Sequence, residues 1–70
     1  MTQQIRVVYK ESNKKVVGLI DAVITNKNVI EPILEADGMK VASQVLSFDD
    51  SVTIDKSMMT VDSSGVASKT

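Results

Sequence analysis

Seventy residues with a formal charge of −1 and a pI near 5.1 leave room for one domain with a modest core. They argue against a nucleic-acid partner, because that affinity comes from lysines and arginines displacing phosphate counterions. The chain has no cysteine and no histidine, which excludes disulfides, thiolate nucleophiles, imidazole metal sites and the Ser-His-Asp and Cys-His machineries.

Met1 to Arg6 has no basic stretch leading into an apolar one, so it does not read as an export signal. The longest apolar runs fall far short of the roughly 20 residues of a membrane crossing. A cytoplasmic protein with no membrane role is expected. Short bursts of Val and Ile bounded by Asn, Asp, Ser and Gly predict five or six strands. The first, Ile5 to Lys10, sets Ile5, Val7 and Tyr9 on one face and Val8 on the other, and Glu11 to Lys15 is a polar turn. The second runs from Val16 to Thr25. Its apolar phase shifts between Leu19 and Ile20, which predicts a bulge or close crossing at Gly18, and Asn26-Lys27-Asn28 is a turn.

Val29 to Ala36 fits two readings. As a strand, Pro32 marks an edge or a bulge. As a helix, Asn28 with Glu31 resembles a capping box and Gly38 closes it, but Val and Ile are poor helix formers and the segment is barely two turns. The strand is the favoured reading, with Asp37-Gly38 as a hairpin turn into Met39 to Ala42. Ser43 to Ser47 is expected to form at most a single helical turn that buries Val45 and Leu46. Ser51 to Ile54 and Met59 to Val61 then pair across a tight turn at Asp55-Lys56, and residues 63–70 form a frayed polar tail to a domain of residues 1–62.

No catalytic constellation emerges. Ser12 near Lys14 and Ser57 beside Lys56 fall in turns without a dry pocket. Asp49, Asp50 and Asp55 lack the spacing of a cation loop, and no glycine belongs to a phosphate-binding pattern. Lys14, Lys15 and Lys27 read as solvated hairpin tips. Met58 and Met59 are adjacent, so a strand points one inward and one outward. With Val61 they form the candidate partner-binding surface, at an exposed strand edge or face.

Arg6-Val-Val-Tyr-Lys-Glu-Ser-Asn-Lys-Lys-Val-Val-Gly-Leu-Ile-Asp-Ala-Val-Ile24 and Val41-Ala-Ser-Gln-Val-Leu-Ser-Phe-Asp-Asp-Ser-Val-Thr-Ile54 resemble the opening and later signatures of PRC-barrel domains, over roughly Ile5 to Ile54. The resemblance implies an all-β fold, a small six-stranded β-barrel, serving prokaryotic proteins as an assembly module without a catalytic motif. The expected function is a non-catalytic protein-interaction or adaptor module, with no cofactor, that binds a protein partner or itself as a homodimer. The alternative is a structural subunit of a homo-oligomeric or phage-type assembly.

Overall fold

The computed structural model describes residues 2–24 and 26–70. Its elements are β1 (Thr2–Lys10), β2 (Val16–Asp21), α1 (Lys27–Glu35), β3 (Met39–Val41), β4 (Leu46–Asp49), a 3-10 turn at Lys56–Met58, β5 (Met59–Val61) and β6 (Ala67–Lys69). β1 organises the larger sheet. β2 ladders along one of its edges, while β3 and β4 share the other, β3 opposite residues 8–10 and β4 opposite residues 2–5, all antiparallel. β5 and β6 form a separate two-stranded sheet.

Alternation along β1 explains the core. Ile5, Val7 and Tyr9 face one side and cluster with Ala42, Met59 and Ala67, so the β5–β6 hairpin closes over that face. Val8 and Val41 are register partners and are also buried, on the opposite face. Half-buried Leu19, Leu46, Phe48 and Ile54 pack around the cluster.

The strands therefore do not close into the expected six-stranded barrel. Neither β5 nor β6 ladders onto the larger sheet, whose outer strands β2, β3 and β4 each pair only with β1. Strands still dominate, and no helix among the described residues is long and apolar enough to cross a membrane.

Residues 29–36 fold as a helix rather than as the favoured strand. The Asn26 side chain accepts from Asn28 N–H at 2.9 Å and caps the start, while Lys27 and Glu31 pair one turn apart. Gly38, at φ 77°, takes the left-handed conformation that ends a helix. Asp37-Gly38 thus terminates α1 instead of turning a hairpin. Capping and an ion pair outweigh the weak propensities of Val and Ile and the donor missing at Pro32.

β2 ends at Asp21, short of the expected Thr25, which lies outside the described residues. The Asp21 carboxylate accepts from Val23 and Ile24 N–H at 2.8 and 3.3 Å, a side-chain turn that diverts the backbone from the ladder. The bulge is present: Val8 opposes Gly18 but Tyr9 opposes Val16, leaving Val17 as the extra residue. No close crossing accompanies it, since a Cβ on Gly18 would lie 3.9 Å from that of Val8, an ordinary contact.

Three expectations for the C-terminal third are corrected. Ser43 to Ser47 makes no helical turn, and Val45 is exposed while Leu46 begins β4. Ser51 to Ile54 is not a strand, because the Asp49 carboxylate draws Ser51 into a turn instead. Residues 67–69 of the expected tail form β6 and pair with β5, and Ala67 is only 4% exposed. The turn between the two strands is built by Asp62, whose carboxylate accepts from Ser64 and Val66 N–H, both at 2.9 Å.

Candidate functional site

A groove of about 520 Å³ separates the start of β2 from the segment leading through the 3-10 turn into β5. One wall is Lys14, Lys15 and Val16. The other is Asp55, Lys56 and Ser57, continuing through Met59, Thr60 and Val61. β2 and β5 are neighbours in contact but share no ladder, and each has one edge with no strand partner among the described residues.

The hairpin that carries the lysines is shaped by its own backbone. Lys14 N–H donates to Lys10 C=O at 2.8 Å and Lys10 N–H donates to Lys15 C=O at 2.9 Å, with Lys14 in the left-handed region at φ 58°. The Lys14 ammonium donates to Glu11 C=O at 2.7 Å and stands 5.9 Å from the centre of the Tyr9 ring. Lys15 N–H donates to Asn13 Oδ1 at 3.0 Å. On the facing wall the Asp55 carboxylate accepts from the Ser57 hydroxyl at 3.1 Å, and Asp55 N–H donates to Met58 Sδ at 3.4 Å. Three lysines and one aspartate are among the residues that line the groove.

Met59 points inward and is 3% exposed, so it is a core residue and offers almost no side chain to a partner. Met58 is half-buried against the core rather than projecting outward, with its sulfur turned to the Asp55 amide. Val61 is half-buried and lines the groove. What the region presents is therefore strand backbone and lysine side chains, not an exposed methionine. The paired Lys14-Lys15 and the lone Lys56 carried that signal in the sequence, but only the fold brings them to one cleft.

The most exposed large apolar residues lie elsewhere: Val23 and Ile24 in the turn after β2, and Val29 and Ile33 on α1. Among the described residues no cluster of three or more acidic groups is arranged to hold a metal ion. No family model, curated protein or solved structure matches the chain.

Proposed function

We propose that this chain is a non-catalytic protein-interaction module that receives an extended acidic segment of a partner in the groove between β2 and β5. The observation that carries this reading is the pair of neighbouring strands, each with an unladdered edge, under three lysines. An incoming strand gains main-chain hydrogen bonds at such an edge, and its carboxylates give Lys15 and Lys56 partners. A module of this kind needs no chemistry of its own, in keeping with a chain that has neither His nor Cys.

An obligate structural subunit is the second reading. Surface area favours the first: a monomer of 7.6 kDa is expected to expose about 4,300 Å², and this chain exposes 4429 Å². It hides as much surface as a self-standing protein does, whereas a subunit completed only by its neighbours exposes more.

The test is a titration of the chain with a short peptide alternating Val and Glu, followed by amide NMR. Perturbations confined to residues 14–16 and 55–61, lost in Lys15→Glu/Lys56→Glu and absent with a Val/Lys peptide, support the reading. Perturbations that are scattered, or indifferent to the charge reversal, overturn it.

A further inference from the structure

α1 is apolar on two sides. It packs against β3, and Ile30 and Leu34 are half-buried. Val29, Pro32, Ile33 and Ala36 occupy the i, i+3, i+4 and i+7 positions of another face, and all four are exposed, Val29 to 65% and Ile33 to 61%. The turn that precedes the helix adds Val23 at 73% and Ile24 at 83%. Isolated exposed apolar residues need no explanation, but a stripe with helical spacing is the pattern by which one helix receives another.

Charge identifies the occupant. From Asp21 to Asp37 the chain carries four carboxylates (Asp21, Glu31, Glu35, Asp37) and one ammonium group (Lys27), a net −3 within a protein of net −1. Lys27 is engaged by Glu31, and Asp21, Glu35 and Asp37 are exposed. We propose that this face docks a basic amphipathic helix of another protein. Its apolar residues lie along Val29, Pro32, Ile33 and Ala36, and its lysines or arginines meet the exposed carboxylates. A second copy of the chain suits the face poorly, because a two-fold contact sets the same acidic segment on both sides. The surface is separate from the lysine-lined groove and selects the opposite charge, so the two accept different partner segments.

The full chain is titrated with an amphipathic Leu/Lys peptide of about 14 residues, long enough for measurable helicity, and with a scrambled peptide of the same composition. Amide shifts that saturate and map to residues 23–36, with the scrambled peptide binding more weakly, are expected. Ile33→Asp decides between contact types: added negative charge tightens a purely electrostatic encounter, whereas loss of the apolar contact weakens binding, here by about tenfold or more, a change a titration resolves readily. Val29→Asp serves as an independent second variant, and the thermal melt of each confirms that it is folded. Equal binding of the scrambled peptide, tighter binding by Ile33→Asp, shifts elsewhere or no shift overturns the proposal. So does concentration-dependent dimerisation abolished by Ile33→Asp, which assigns the face to a second copy.

Discussion

The Tyr9 hydroxyl lies 2.8 Å from the position that a Cβ on Gly65 would occupy, and Gly65 itself has φ 82°. The turn between β5 and β6 thus settles against the end of a core side chain, and two independent requirements fall on one residue. Gly65→Ala has to accept left-handed backbone, at about 1–2 kcal/mol, and also displace the buried tyrosine, which overpacking costs put at a further 1–3 kcal/mol or so. Gly38 isolates the first effect, because its φ is 77° but a Cβ there meets nothing within 4 Å. Urea denaturation of the two alanine variants should show the larger loss for Gly65. Equal losses would mean that Tyr9 gives way freely.

Sequence patterning located β1 and the bulge in β2 but missed both local turns, such as the one the Asp49 carboxylate builds, and contacts between distant segments. The alternation of Ile5, Val7 and Tyr9 foretold both the strand and its buried face, and the phase slip beside Gly18 foretold a bulge that sits at Val17. Residues 29–36 were ambiguous because each apolar residue fits either period. The deciding signals are Asn26, which caps the helix where the pattern points to Asn28, and Gly38. The groove was not legible, since Lys14 and Lys56 are far apart in sequence and only packing of β5 beside β2 joins them. Asp62-Ser-Ser-Gly65 was readable as a turn, from an Asp that bonds forward and a Gly that permits positive φ, yet the polar composition after it suggested a frayed end.

Asp49 gives the acid limb of stability a defined contribution. Its carboxylate accepts from Ser51 N–H at 2.9 Å and from the Ser51 hydroxyl at 2.7 Å, and these bonds hold its pKa below the usual carboxylate value. A depressed folded pKa contributes stability above the unfolded value, near 3.9, and that contribution disappears as pH falls through the folded value. Asp49→Asn should flatten the stability profile below about pH 4 and leave its neutral region with the same slope. A profile unchanged in that window would show that the bonds do not distinguish folded from unfolded chain.

Met58 and Met59 should separate cleanly on substitution. Met59→Ala removes a buried side chain from the cluster with Tyr9 and Ala67, at roughly 2–5 kcal/mol. Met58→Ala forfeits partial packing and the contact with the Asp55 amide, and should cost less. Met59→Lys should unfold the domain, whereas Met58→Lys can carry its ammonium to solvent along the half-buried stem. Thermal melts followed by circular dichroism measure the order, and a larger loss at Met58 would reverse the assignment of the inward residue.

Removing residues 63–70 should destabilise the whole domain rather than trim an end. β5 loses every ladder partner, Lys69, Ser68 and Ala67 opposite Met59, Thr60 and Val61. Gln44 loses the Ala67 amide that its side-chain oxygen accepts at 3.1 Å, and Met58 C=O loses the amide of Thr70 at 3.0 Å. Phe48 loses the Lys69 ammonium 4.7 Å from its ring centre, and the cluster around Met59 loses the cover of Ala67. For a domain of this length total stability is on the order of 4–10 kcal/mol, so losses of this number and kind take most of it. The truncated chain should melt without a cooperative transition, and Ala67→Asp in the full chain, which buries a charge at the same place, should approach the same state. A truncated chain that melts cooperatively at the original temperature would place residues 63–70 outside the folding unit.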